Sequence, residues 1–270
     1  MTNSKTRLRS ALTGLSLALL VTACATTTSS TGRRQHVGGV SEQQLEQLGA
    51  QAFAEAKQKQ ALSRDPKQNA YVRCVVDALV AQLPAQQRGI GWEVAVFTDP
   101  EANAFALPGG KVGVNTGIFP VAKTQDQLAA VVAHEIGHVV EHHFDERLTN
   151  QVGASTALQV LGALAGDYGS LVTQGGGIAA NTLFLLPNSR AQESEADIVG
   201  QRLMAQAGFD PRQAVTLWQN MLAAGGNRPP AWLSTHPDPQ ARIRELGSRA
   251  ASLTPVWEQA RAAGRRPTCG

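Results

Sequence analysis

Apolar positions along this chain change their period twice. From Ser41 they recur at three- and four-residue spacing, first as Leu45, Leu48 and Ala52, then as Tyr71, Val72, Val75, Val76, Leu79 and Leu83, which predicts two amphipathic helices. Ser41 with Gln44 makes a capping-box signature for the first, and Asp65-Pro66 starts the second. The pattern then turns β-like: Trp92 to Phe97 reads as a strand, and Asn103 to Leu107 and Lys111 to Asn115 flank a Pro108-Gly109-Gly110 turn. Helical spacing returns over about 124–148, a Gly- and Ala-rich stretch at 151–180, and about 189–207, 211–224 and 239–252, with Asp210-Pro211 and Asp238-Pro239 opening the last two. The expected fold class is α+β, mainly helical, with a small β-sheet. About 230 residues from Ser41 onward suffice for one domain with a sizeable core, and no internal repeat is visible.

One predicted helix carries chemistry. Leu128, Val131, Val132, Ile136 and Val139 form its apolar face after a Thr124/Gln127 capping signal, and His134-Glu135-Ile136-Gly137-His138 lies inside it. Residues four apart on a helix share a face, so both imidazoles can reach one metal at roughly 2.0 to 2.1 Å. Glu135 can then serve as general base toward a water whose pKa zinc lowers toward about 7, and as acid toward the leaving amine. The plain alternative is two hydrogen-bonded His residues on a partly buried helix.

A catalytic zinc needs a third protein ligand. In one protease class it is a His six residues past the second; Phe144 stands there. Glu193-Ser194-Glu195-Ala196-Asp197, on a later helix, offers a carboxylate. Glu193 and Asp197 share a face and Glu195 points roughly 200° away, which favours Glu193 as ligand, Asp197 as the group orienting a ligand His, and Glu195 as a solvated charge. The reverse assignment of the two glutamates stays open.

The ends change the picture of where this happens. Lys5, Arg7 and Arg9 precede an apolar run from Ala11 to Ala23, about 13 residues, which reads as an export signal and is shorter than the roughly 20 needed to span a bilayer. Val21-Thr22-Ala23-Cys24 resembles a bacterial lipobox, implying removal of residues 1–23 and lipidation of Cys24. Residues 24–40 then read as the lipidated Cys and a flexible polar tether, and 41–270 as the folded domain. Ala25, by resemblance to sorting signals, places the protein on the periplasmic face of the outer membrane. The chain has 24 Lys+Arg and 21 Asp+Glu, and losing the three signal residues leaves 21 against 21. No basic stripe remains to suggest nucleic-acid binding. Cys74 and Cys269 are an even pair in an oxidising compartment; they either form a disulfide that pins the tail, or stand as a small buried residue and a free tail thiol.

Taken in order, Asn103-Ala104-Phe105 with Pro108-Gly109-Gly110, His134 to His138, Ser189-Arg190 with Glu193 to Asp197, and Ser234-Thr235-His236-Pro237 with Arg242 resemble a known family over about residues 90–250. It is the zinc peptidase family of the CAAX prenyl proteases and HtpX, in its soluble periplasmic lipoprotein branch typified by LoiP. The resemblance implies a gluzincin-type domain with the sheet beside the active-site helix, and one zinc per chain on His134, His138 and Glu193. It further implies that His236 stabilises the oxyanion with support from Arg242, and that Asn103, Ala104 and Phe105 form an edge strand that binds substrate. His143 matches a His frequent in the family, and it and His142 are read as outer-sphere or surface residues. The chain departs from the prenyl protease and HtpX pattern in lacking predicted membrane-spanning helices. The expected activity is endopeptidase cleavage of unfolded or misassembled envelope polypeptides, with envelope assembly factors or proteases as further partners. The alternative is a periplasmic chaperone or outer-membrane assembly factor that binds polypeptide with little cleavage.

Overall fold

The computed structural model describes residues 25–151, 153, 188–224 and 235–270. The signal segment, Cys24, nearly all of the Gly- and Ala-rich stretch and Ser234 lie outside the described residues. Helix α1 (Glu42–Lys59) opens on the Ser41/Gln44 capping box, and α2 (Pro66–Val80) on Asp65, whose carboxylate accepts from the amides of Lys67 and Gln68. A short α3 (Ala85–Arg88) leads into the sheet. Its order is β3-β5-β4: β3 (Glu93–Phe97) runs parallel to β5 (Lys111–Asn115), and β4 (Ala104–Leu107) runs antiparallel to β5, so β4 is an edge strand. Gly113 leaves the space that the Phe105 ring fills, since a Cβ there would lie 2.2 Å from it.

Helix α4 (Gln125–Val140) is the centre of the molecule. Thirteen of its sixteen residues are buried, which explains why its apolar pattern runs almost all round. It ends at a turn in which His142 takes φ 55°, and the chain is helical again over 143–151. The predicted 124–148 helix is therefore two segments broken by a left-handed residue. Helices α5 (Arg190–Gln206), α6 (Gln213–Ala224) and α7 (Pro239–Ala262) complete the described body. Helix α7 continues ten residues past the expected stop at 252, through Pro255. That side chain is exposed, while Leu253 and Ala260 are buried and Trp257 donates its indole N–H to Gly208 O at 3.0 Å. Among the described residues no helix is long and apolar enough to cross a membrane.

Helices α4 and α5 approach almost backbone to backbone, because each presents a glycine at the crossing. A Cβ on Gly137 would lie 3.0 Å from Ala196 O, and one on Gly200 would lie 2.8 Å from the backbone of Ala133 and His134. Gly200→Ala should therefore push the helices apart and cost about 1–3 kcal/mol, as overpacking does. Urea unfolding reads this directly, and an unchanged midpoint would refute it.

Two expectations at the ends are resolved. Residues 25–40, expected as a flexible tether, instead contain an antiparallel hairpin, β1 (Ala25–Thr28) and β2 (Arg34–Val37). Its order comes from tertiary contacts that a small, polar, aperiodic segment does not advertise: Gln35 Nε2 donates to Glu141 O at 2.6 Å, and Gly39 N to Thr149 Oγ1 at 2.9 Å. Cys74 and Cys269 are joined by a disulfide, and Gln125 at the start of α4 grips the same tail through Pro267 O and Cys269 N.

Candidate metal centre

Four donors converge where α4, α5 and the approach to α7 meet. His134 and His138 come from α4, Glu193 from the first turn of α5, and His236 from the segment before Pro237; their ligand atoms lie within 4.8 Å of one another and all four residues are buried. His134 Nε2 and His138 Nε2 stand 3.1 Å apart, and Glu193 reaches them at 3.4 and 3.2 Å. His236 Nδ1 is 3.0 Å from both Glu193 oxygens and 3.2 Å from His134 Nε2. Burial alone would raise the Glu193 carboxyl, but His236, His134 and His138 hold it far below the usual carboxylate range. The Ser189/Gln192 capping box fixes the first turn of α5 and hence Glu193.

The surroundings decide which ring nitrogens face inward. Asp197 Oδ1 lies 3.0 Å from His134 Nδ1; a carboxylate only accepts, so Nδ1 carries a proton in either charge state, and Nε2, once deprotonated, turns its lone pair to the cluster. Burial and the Arg242 charge press the His134 imidazolium down, yet Asp197 and Glu193 outweigh both and bring it to about 9. For His138 the orienting group is His143. Burial keeps His143 below the ordinary imidazole range despite Glu195, so the ring is neutral; its Nε2 donates to Glu195 at 2.9 Å and its Nδ1 accepts from His138 Nδ1 at 2.8 Å. His138 Nε2 is thereby also left as an inward lone pair. Two lone pairs, a buried carboxylate and a further imidazole make a donor set that suits a zinc-like cation.

Several residues differ from their sequence reading. Glu195 is no solvated charge: it is 2% exposed, holds His143, and accepts from Ser29, Thr31 and Arg33. Burial would raise its pKa, but His143, Ser29, Thr31 and Arg33 bring it to about 2. His143 is fully buried, whereas its neighbour His142 is exposed in the turn. Arg242, expected to support His236, is 3% exposed, clamps Asp197 through Nε and Nη2 at 2.6 Å each, and reaches Glu193 through Nη1 at 2.5 Å. Its guanidinium lies 3.8 Å from the Trp218 ring centroid.

Glu135 is buried, with Oε1 3.5 Å from His236 Nε2, and both line a cleft of about 460 Å³. Asn103, Ala104 and Phe105 line the same cleft, and Asn103 O accepts from Asn115 N, extending the β4 pairing. The sequence reading missed Arg147, which also lines it. Arg147 Nη1 donates to Asn188, and burial lowers its pKa to about 10 against the pull of Glu193 and Glu135. Its spacing of four from His143 was the available signal. Cys24 lies outside the described residues.

Comparison with known proteins finds protease relatives. The chain is 42% identical over 178 residues to the mitochondrial metalloendopeptidase OMA1 of Schizosaccharomyces pombe, covering 65% of this chain and 51% of that protein. It is 39% identical over 159 residues to OMA1 of Arabidopsis thaliana, covering 58% and 31%. It is 28% identical over 223 residues to the β-barrel assembly-enhancing protease of Escherichia coli, covering 79% and 45%. This chain thus spans about half the length of these relatives or less. The family model "Peptidase family M48" matches residues 66–250, a span that holds every candidate donor, and the chain belongs to that family.

Proposed function

We propose that this chain is a zinc-dependent endopeptidase, lipid-anchored through Cys24 on the periplasmic face of the outer membrane, that cleaves unfolded or misassembled envelope polypeptides. The observation that carries the chemistry is the opening of Glu135 and two of the donors, His138 and His236, onto a cleft walled by an edge strand. An extended peptide can add to β4 through main-chain hydrogen bonds, a mode tolerant of sequence and suited to unfolded substrates. Asn103, Ala104 and Phe105 are the residues it would lie against.

His134, His138 and Glu193 would hold one zinc per chain, which when bound supplies Lewis acidity toward the scissile carbonyl and makes water more acidic. Glu135 takes a proton from the attacking water and delivers it to the leaving nitrogen. His236, beside Glu135 at the cleft, donates to the developing oxyanion, a contribution of about 2.7–4 kcal/mol in comparable sites. Arg242 acts through Asp197 and Glu193, holding both carboxylates in place. The envelope reading draws on the lipobox-like Val21-Thr22-Ala23-Cys24 and on the assembly-enhancing role in the name of the Escherichia coli relative.

Purified full chain, mixed with an unfolded outer-membrane polypeptide, should yield fragments, lose that activity to a chelator and regain it with zinc. Because a proton competes for His134, zinc uptake should tighten as pH rises toward 9. Substrate held soluble but intact by zinc-loaded protein would favour the chaperone reading instead.

A further inference from the structure

The hairpin that replaces the expected tether ends in contact with the metal centre's outer shell. We propose that this hairpin is a positioning element of the metal centre, in which Arg33 fixes the ring orientation of His138 through Glu195 and His143. The proposal rests on the reading of His138 as a metal donor.

Glu195 is the junction. Ser29 Oγ and Thr31 Oγ1 donate to its Oε1, and Arg33 Nε donates to Oε2 at 2.7 Å, the oxygen that also accepts from His143. The other two nitrogens of Arg33 straddle Glu146 at 2.7 and 2.8 Å, and Gln192 Nε2 reaches the same carboxylate at 2.7 Å. One guanidinium therefore ties α5, through Glu195, to the segment after α4, through Glu146, with His143 between them. Only a planar fork makes three such bonds at once; a lysine offers a point charge. The rest of the hairpin grips the same segment: Ser30 N donates to Glu141 Oε2 at 3.0 Å and Gly38 N to Asp145 Oδ2 at 3.1 Å.

Removing the guanidinium leaves two buried carboxylates beside His143 without their cation. Glu195 then loses the bond that fixes where it meets His143 Nε2, and the His143 ring no longer holds His138 Nδ1 in one place. Outer-shell partners of metal-binding histidines typically change metal affinity by about 10- to 100-fold when removed. The hairpin, although distant in sequence, belongs to the metal centre.

The test compares wild type, Arg33→Gln, Arg34→Gln and His138→Ala in the full chain. Zinc affinity is read by chelator competition, and donor geometry by the visible absorption of the cobalt(II) form. Arg33→Gln should weaken zinc binding by about 10- to 100-fold and alter the cobalt spectrum while circular dichroism stays native. Arg34→Gln, an exposed change on the same hairpin, should do neither. If Arg33→Gln does not fold, the Thr31→Val variant, which takes one hydroxyl donor from Glu195 Oε1 and leaves the Ser29 contact to the Arg33 amide in place, should give a smaller change of the same kind. Wild-type affinity and spectrum in a folded Arg33→Gln, or in Thr31→Val where that is used, would overturn the proposal. Undiminished zinc binding in His138→Ala would overturn the metal reading itself, and the proposal with it.

Discussion

Replacing Glu135 by Gln should lower peptide cleavage by about 10²- to 10⁴-fold, the range that a positioned general acid–base contributes. The amide keeps the size of the carboxylate and loses its capacity to take a proton. Glu135 stands outside the four-residue donor cluster, so zinc content should remain that of wild type. Fold stability should change little, because Glu135 borders the cleft and an isosteric amide preserves the packing. The measurement is fragment production from an unfolded polypeptide alongside metal analysis. Undiminished turnover with zinc in place would remove Glu135 from the mechanism.

Arg242→Ala should have the largest effect on stability. The guanidinium is almost fully buried between Asp197 and Glu193, themselves buried, and its face covers the Trp218 ring. Truncating it leaves two carboxylates without their cation, a change that costs about 3–5 kcal/mol when a buried pair is broken. Arg242→Lys should recover only part of this, since three donors on one nitrogen cannot span the Asp197 and Glu193 oxygens that the planar fork reaches together. Guanidinium-induced unfolding of the metal-free protein reads the loss without contribution from bound zinc. A variant within about 0.5 kcal/mol of wild type would show that the charges rearrange at little cost.

The regular elements were legible because local rules govern them. The Ser41, Asp65 and Ser189 caps, the strands around Pro108-Gly109-Gly110 and the apolar face of α4 each follow from residues close in sequence. The 3.6-residue period also put Glu193 and Asp197 on one face, and the structure sets both beside His134. What escaped depends on partners far away. Glu195 looks solvent-facing from its position on α5, but the hairpin covers it with residues more than 160 positions earlier. The same contacts turn an aperiodic polar segment into two strands. The break at His142 is hidden inside an unbroken helical pattern, and α7 runs on through Pro255, although proline removes one helical hydrogen bond, with Leu253 and Ala260 buried on either side of it. Arg242, as readily a surface charge by its spacing, is buried because Asp197, Glu193 and Trp218 surround it.

The bond between Cys74 and Cys269 spans 195 positions, and every candidate donor lies within that span. A cut anywhere between the two cysteines leaves a single covalent molecule under oxidising conditions. α2 and the tail that Gln125 holds against α4 stay leashed to each other after the backbone is severed. A nicked molecule would therefore run as one band on a non-reducing gel and as two after reduction, and only the second would betray the damage.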